Sequence, residues 1–280
     1  MVVDNKATIS YISVLKEDLA IFRVKPNEGP VPDFKPGQFV TLGVNVPSEK
    51  KIVRRAYSIA SPPQQKKHFE LILRWVKKPV PGRLTTQIFD KREGSEILWV
   101  KPTGIFTINE KMASGAPDNR RMVLIGGGTG LAPFISYSLY LKALGSKREI
   151  VVLHGASYVD ELSYKDLLTN LEIESLDQGK GNWNFRYRAS ISRPQEWFNR
   201  SWSGHKGRIE SFLRPRAGKD KSPLEELVGE TITPDNTSFY VCGWQGTVDG
   251  VLDSLIPKGF VTERQKRKDG SFDVKFESYG

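Results

Sequence analysis

Met122-Val123-Leu124-Ile125-Gly126-Gly127-Gly128-Thr129-Gly130-Leu131-Ala132-Pro133 is the stretch whose reading decides the architecture of this chain. Four apolar residues in succession suit a strand buried on both faces, and the glycines then end it abruptly. Pro133 fits the first turn of a helix, where its missing N–H costs nothing. A strand, a glycine turn and a helix in that order are the opening of a parallel α/β unit. In that setting Gly126–Gly130 presents backbone N–H groups at a helix N-terminus, which is an arrangement for holding phosphate. The run is neither a Walker A loop nor a G-x-G-x-x-G fingerprint, and a tight βα turn with no ligand has the same letters.

Downstream the pattern repeats. Ile150–His154, Phe185–Ser190 and Phe239–Cys242 read as further strands, and Ala132–Leu144, Tyr164–Leu171 and Val248–Ser254 as helices. Strands alternating with helices predict a doubly wound parallel sheet. The polar stretches Asp177–Asn184 and Arg214–Asn236 read as long connections or insertions.

Upstream the texture differs. Ala7–Leu15, Leu19–Val24, Gln38–Val44, Ala56–Ile59, His68–Val76 and Ile97–Val100 are rich in β-branched and aromatic residues and are separated by turns bearing Pro and Gly. Such spacing predicts an antiparallel barrel or sandwich, interrupted by one helix over Leu84–Phe89. The polar segment Lys111–Asn119 is the natural border, giving an N-terminal β-barrel domain over 1–118 and an α/β domain over 119–280.

The 280 residues suit two domains of ordinary size, and 38% hydrophobic with 26% charged residues is a soluble globular balance. No apolar run approaches a membrane span, and MVVDNKATIS has neither the basic start nor the apolar core of a signal peptide, so a cytoplasmic location is expected. The single cysteine, Cys242, excludes an internal disulfide framework or a Cys₄ cluster within this chain, and the three histidines lack metal-ligand spacing. The net charge of +10 admits nucleic acid, an anionic surface or an acidic protein as partner. Residues 1–118 hold 19 Lys/Arg against 12 Asp/Glu, so most of the excess lies in the first half. No nucleic-acid-binding motif accompanies it.

Two shorter stretches add chemistry. Arg55-Ala56-Tyr57-Ser58 sets a cation, an aromatic ring and a hydroxyl on one strand, a set that suits a flat anionic ligand. It equally fits an alternating strand with Tyr57 in the core. Tyr240-Val241-Cys242-Gly243 ends a strand at the carboxyl edge of the parallel sheet, where ligands of such folds bind, although a lone cysteine is more often filler.

The ordered set resembles the ferredoxin–NADP(+) reductase family, most closely its bacterial type. It comprises Arg-x-Tyr-Ser, then Gly82-x-x-Thr85, Gly127-Gly128-Thr129-Gly130-x-Ala-Pro and Cys242-Gly243. Val151–Leu162, Ser192-Arg193 and Gly207-Arg208-Ile209 also have counterparts in the family. The resemblance implies an oxidoreductase that binds FAD and NADP(H). On the FAD side, Arg55 would pair with the diphosphate, Tyr57 would stack on the ring and Ser58 would hydrogen-bond near the hydride-accepting nitrogen. Gly82, Arg83, Leu84 and Thr85 would complete the diphosphate site. On the NADP(H) side, Gly127, Gly128, Thr129 and Gly130 would hold the diphosphate, and Cys242 and Gly243 would form the floor under the nicotinamide. Ser192, Arg193, Lys206 and Arg208 would grip the 2′-phosphate. Tyr279 is a candidate for covering the flavin and Glu277 for handling a proton.

Two departures matter. Ser157 stands where bacterial relatives often carry an arginine, and Tyr279 is followed only by Gly280. The family's one-electron partners, ferredoxins and flavodoxins, are typically acidic, and the basic first half fits transient electrostatic docking. Other readings are a reductase component of an oxygenase, a quinone or flavin reductase, and a flavin-free binding or regulatory module. The last would be expected to have lost some of these residues.

Overall fold

The computed structural model describes residues 4–46, 51–77, 81, 83–178 and 183–279. By contacts the chain divides into two compact units, Met1–Ile108 with Ala132–Tyr140, and Asn109–Leu131 with Leu141–Gly280.

The first unit contains an antiparallel sheet of β1 (Asn5–Lys16), β2 (Leu19–Pro26), β3 (Phe39–Val46), β4 (Lys51–Ser58), β5 (Phe69–Arg74) and β6 (Glu96–Thr103), in the order β4-β3-β6-β1-β2-β5. Its two edges meet where Ile59 bridges Leu71 and the Ala60 N–H donates to the Glu70 carbonyl at 2.8 Å, which closes the barrel. The interior is filled by Ile9, Phe22, Val40, Leu42, Phe69, Leu71 and their neighbours, all buried. Helix α1 (Arg83–Phe89) adds Leu84 and Ile88 to this core. Trp75 stacks on Phe89 at 5.8 Å and donates from Nε1 to Thr86 Oγ1 at 3.1 Å, pinning the helix to the chain that follows β5.

The second unit is built on a parallel sheet. Its strands are β7 (Arg121–Gly127), β8 (Ile150–Ala156), β9 (Phe185–Ile191), β10 (His205–Lys206), β11 (Thr237–Trp244) and β12 (Val274–Tyr279), in the order β10-β9-β8-β7-β11-β12. The chain lays strands outward on one side of β7, then returns to β11 on the other side. The switch point therefore falls at the carboxyl ends of β7 and β11, where such sheets bind ligands. Met122 to Ile125 are fully buried, as a strand covered on both faces requires. Helix α5 (Gln245–Leu255) and α4 (Pro223–Val228) cover the face that carries Val123, Ile125, Val151 and Val241. Helix α3 (Lys165–Gln178) packs on β9. Helix α2 (Ala132–Ala143) continues from a 3₁₀ turn over Gly128–Leu131.

Beside the expected border at 118/119, the division by contacts falls at 108/109, and residues 109–118 are held inside the second unit. The Asn109 N–H donates to Tyr240 Oη at 2.9 Å, and Asp118 is buried between Arg120 (2.9 Å) and Arg148 (3.2 Å). Ala132–Tyr140 groups with the first unit, where Ser136 Oγ donates to the Ser61 carbonyl and Tyr137 Oη to that of Phe106. The connection over 214–236 contains α4, opened by a capping box in which the Ser222 and Glu225 side chains each satisfy the other's backbone N–H.

Candidate functional site

In the first unit, register pairs Arg55 with Leu42 and Tyr57 with Val40, so both project from the face that holds the barrel core. Tyr57 packs against that core, yet its Oη is buried with no hydrogen-bond partner among the described residues. Burial pushes the phenol pKa well up, with the Arg55 charge opposing it. A buried hydroxyl without a partner costs free energy, about 1–3 kcal/mol, unless a ligand supplies one. Arg55 is exposed and, among the described residues, its Nη1 donates to the carbonyl of Arg54 at 2.8 Å. Arg54, by contrast, is spent on Asp4, to which its Nε donates at 2.9 Å. Ser58 follows, nearly buried. Arg83 is exposed and Leu84 is in the core, while Thr85 Oγ1 accepts from the Val76 N–H at 3.4 Å. Gly82 lies outside the described residues. An exposed guanidinium beside an aromatic ring with an unsatisfied hydroxyl fits a planar ligand carrying phosphate, as FAD does.

In the second unit, β7 delivers Gly127 and the 3₁₀ turn delivers Gly128, Thr129 and Gly130. The glycines have separable tasks. A Cβ on Gly130 would lie 2.2 Å from the Cys242 carbonyl oxygen, so this glycine lets the loop and the end of β11 close on each other. Gly128 has φ +56° and nothing within 4 Å of a Cβ position, an open, left-handed residue at the rim. Gly127 faces Thr247 at the start of α5, whose Oγ1 is 3.2 Å from the Cβ position. Packing explains Gly130. It does not explain an open αL glycine at the switch point, which fits the backbone cradle of a diphosphate.

Beside this loop, Cys242 is completely buried, and its Sγ donates to Tyr279 Oη at 3.1 Å. Burial pushes its thiol pKa well up, the Tyr279 contact opposes this and the Glu277 charge adds to it. The thiol is therefore a small neutral side chain and no nucleophile. Glu277 pairs in register with Cys242 on β12, and its own pKa is raised, first by burial and then by Glu263. Gly243 approaches Gly127, whose backbone is 3.4 Å from its Cβ position. The structure thus brings Gly127–Gly130, Cys242, Gly243, Glu277 and Tyr279 to one place.

The four residues expected at the 2′-phosphate are less uniform. Ser192 and Arg193 follow β9 at its carboxyl end, and Arg193 Nη1 donates to Tyr158 Oη at 2.9 Å. Arg208 donates from Nε to Glu210 Oε1 at 2.5 Å and from Nη2 to the Gly246 carbonyl at 3.1 Å. Lys206, on β10, lines a separate cleft. Sequence reading missed Tyr158, Glu210 and Thr247. Glu210 stands two residues from Arg208, and that spacing was the available signal for a competing carboxylate.

Among the described residues, no His/Cys/Asp/Glu group could hold a metal ion and no helix is long and apolar enough to cross a membrane. Residues 6–108 match the oxidoreductase FAD-binding domain and residues 124–252 the oxidoreductase NAD-binding domain. The chain is 32% identical over 200 residues to a component of the Na(+)-translocating NADH-quinone reductase of a Marinomonas species, covering 71% of this chain and 40% of that protein. It is 32% identical over 169 residues to a Pseudomonas aeruginosa ferredoxin–NADP reductase, covering 60% of this chain and 61% of that one. The match thus spans less than two thirds of either relative. A Neisseria gonorrhoeae ferredoxin NADP+ reductase, solved with bound FAD and NADP, has the same fold, with a TM-score of 0.77, 23% identity and 98% of each chain covered.

Proposed function

The chain belongs to the ferredoxin–NADP reductase-like oxidoreductases, which join an FAD-binding to an NAD-binding domain, and from this we propose a reductase that exchanges hydride with NADP(H) and single electrons with a small acidic carrier, ferredoxin or flavodoxin. The observation that carries the flavin assignment is the buried Tyr57 hydroxyl, without a partner among the described residues, beside the exposed Arg55.

Bound FAD supplies the exchange of a two-electron hydride for single electrons. The residues of the chain bind and orient. The Arg55 fork matches phosphate oxygens, and a ligand along Tyr57 would satisfy its hydroxyl. Ser58 offers a hydroxyl at the next position, and Arg83, Leu84 and Thr85 extend the same site. In the second unit, Gly127 to Gly130 would offer backbone N–H groups to a nucleotide diphosphate, Arg193 and Arg208 would hold a 2′-phosphate, and the neutral Cys242 with Gly243 would leave room for a ring. Glu277, with its raised pKa, is the group near this ring able to hold a proton at higher pH than an ordinary carboxylate. The net charge of the first 118 residues, 19 cations against 12 anions, supports steering of an acidic carrier.

A second reading is an NADH-accepting reductase component of an oxygenase or a quinone or flavin reductase. The Arg208–Glu210 pair and Ser157 favour it, because both weaken the cation set at a 2′-phosphate. Oxidation of NADPH and NADH side by side, with ferredoxin, flavodoxin and quinone as acceptors, separates the two. A purified chain that stays colourless after incubation with FAD overturns both.

A further inference from the structure

A cleft of about 850 Å³ opens at the outer edge of β9 in the second unit. β10 pairs only with Ser190 and Ile191, so among the described residues the edge from Phe185 to Ala189 has no strand beside it. Four cationic side chains line the cleft, Lys165, Arg188, Lys206 and Arg216, against one carboxylate, Glu226. Arg188 is neutralised by Glu172, at 2.8 and 2.9 Å from its two oxygens. No carboxylate pairs with Lys165, Lys206 or Arg216 among the described residues. Lys165 Nζ instead lies 6.0 Å from the centre of the Trp202 ring, and Arg216 Nη2 donates to His205 Nδ1 at 3.2 Å.

The wall behind these charges is fixed and aromatic. Trp202 Nε1 donates to the His205 carbonyl at 2.8 Å, which sets the plane of the indole. The His205 ring stacks on Phe212 at 4.0 Å. Ser211 Oγ donates to the Arg208 carbonyl at 2.5 Å, so it must accept from His205 Nε2 at 2.7 Å. His205 Nδ1 then accepts from Arg216, so the ring is neutral and adds no charge of its own. Uncompensated cations gathered in a concave site raise one another's energy, and a bound anion relieves this. The volume suits a nucleotide-sized ligand, ammonium and guanidinium groups suit phosphate, and a fixed indole suits a planar ring.

We propose that this cleft binds a nucleotide at a site distinct from the glycine loop, with its phosphates on Lys165, Lys206 and Arg216 and its base against Trp202. The site does not depend on the reductase reading, since no residue of the glycine loop takes part. Lys165 and Arg216 are exposed at their own positions, so truncating them opens no core.

Titration calorimetry with ADP tests the proposal on wild type and on a Lys165→Ala/Arg216→Ala double variant. The wild type should show a binding event that the double variant weakens at least tenfold, while binding at the glycine loop persists in both. Trp202→Leu should weaken ADP binding several-fold and leave inorganic pyrophosphate unaffected. The pair Lys165→Arg/Arg216→Lys keeps both charges and should retain binding, which separates loss of charge from loss of fold. Equal ADP affinity in wild type and the double variant overturns the site. Pyrophosphate binding as tightly as ADP also overturns it, because the cleft would then be a charge patch with no place for a ring.

Discussion

Gly130 lies against Cys242 so closely that a methyl group on its Cα would sit 2.2 Å from the Cys242 carbonyl oxygen and 2.5 Å from its carbonyl carbon. These are backbone atoms at the end of a central strand and have little room to retreat. Gly130→Ala must therefore push the glycine loop away from β11, with an overpacking cost of about 1–3 kcal/mol. The expected result is a lower unfolding midpoint and weakened nucleotide binding, with FAD binding retained. Gly128→Ala is the control, since its Cβ position is open and only the positive φ is strained, about 1 kcal/mol. Unfolding midpoints and NADP(+) titrations of the two variants should separate them. Equal losses would show that packing against Cys242 is not what the loop needs.

The orphaned hydroxyl of Tyr57 makes an unusual variant informative. Tyr57→Phe removes a polar atom that has no partner among the described residues, so the ligand-free protein should be as stable as wild type or more so. If the hydroxyl meets FAD, the same change should weaken FAD binding by about 0.5–1.5 kcal/mol, roughly three- to tenfold. Chemical denaturation with and without FAD measures both quantities on one sample. A loss of stability without FAD would mean that the hydroxyl already has a partner in the protein.

The fold was readable because its deciding signals are local. The apolar run Met122–Ile125 and the glycines after it announce β7 and its turn without any distant partner. Helix α4 went unread although Ser222-x-x-Glu225 is a capping-box signature, because the helix has only six residues and sits in a polar stretch. The candidate site was legible as residue types and less so as pairings. Arg54 and Arg55 look equivalent in sequence, and only a partner fifty positions away, Asp4, makes Arg55 the unspent one. Lys206 and Arg208 look like one cluster, but β10 ends at Lys206 and Gly207, with φ +124°, turns the chain, so the first lines the β9-edge cleft and the second pairs with Glu210.

That last pair predicts how the nucleotide is chosen. Glu210 accepts from Arg208 at 2.5 Å and places a negative charge where a 2′-phosphate would meet the guanidinium. Glu210→Gln keeps an acceptor for Arg208 and removes the charge. Affinity for NADPH should rise about three- to tenfold, roughly 1 kcal/mol for removing one carboxylate charge beside the exposed Arg208 guanidinium, while NADH is unchanged. The ratio of kcat/KM for the two nucleotides is the measurement, and an unchanged ratio would separate Arg208 from the 2′-phosphate.

The second unit should also carry an acid-sensitive lock. Asp118 is buried against Arg120 and Arg148, and Arg120 continues to Asp273, which Arg267 also holds. Burial alone would raise the Asp118 pKa. The hydrogen bonds from Arg120 and the charges of Arg148 and Arg120 outweigh it and bring the pKa below the ordinary carboxylate value. A carboxyl whose folded pKa is depressed contributes stability that is complete above its unfolded value, about 3.9, and is lost as pH falls through the folded one. Denaturation midpoints of wild type should therefore drop below about pH 4, and part of that drop should vanish in Asp118→Asn. At pH 7 the same variant should be destabilised by about 3 kcal/mol, because it leaves two buried guanidinium groups short of a counter-charge. A variant with wild-type stability at pH 7 and an unchanged acid limb would remove Asp118 from the network that fastens residues 109–118 to the parallel sheet.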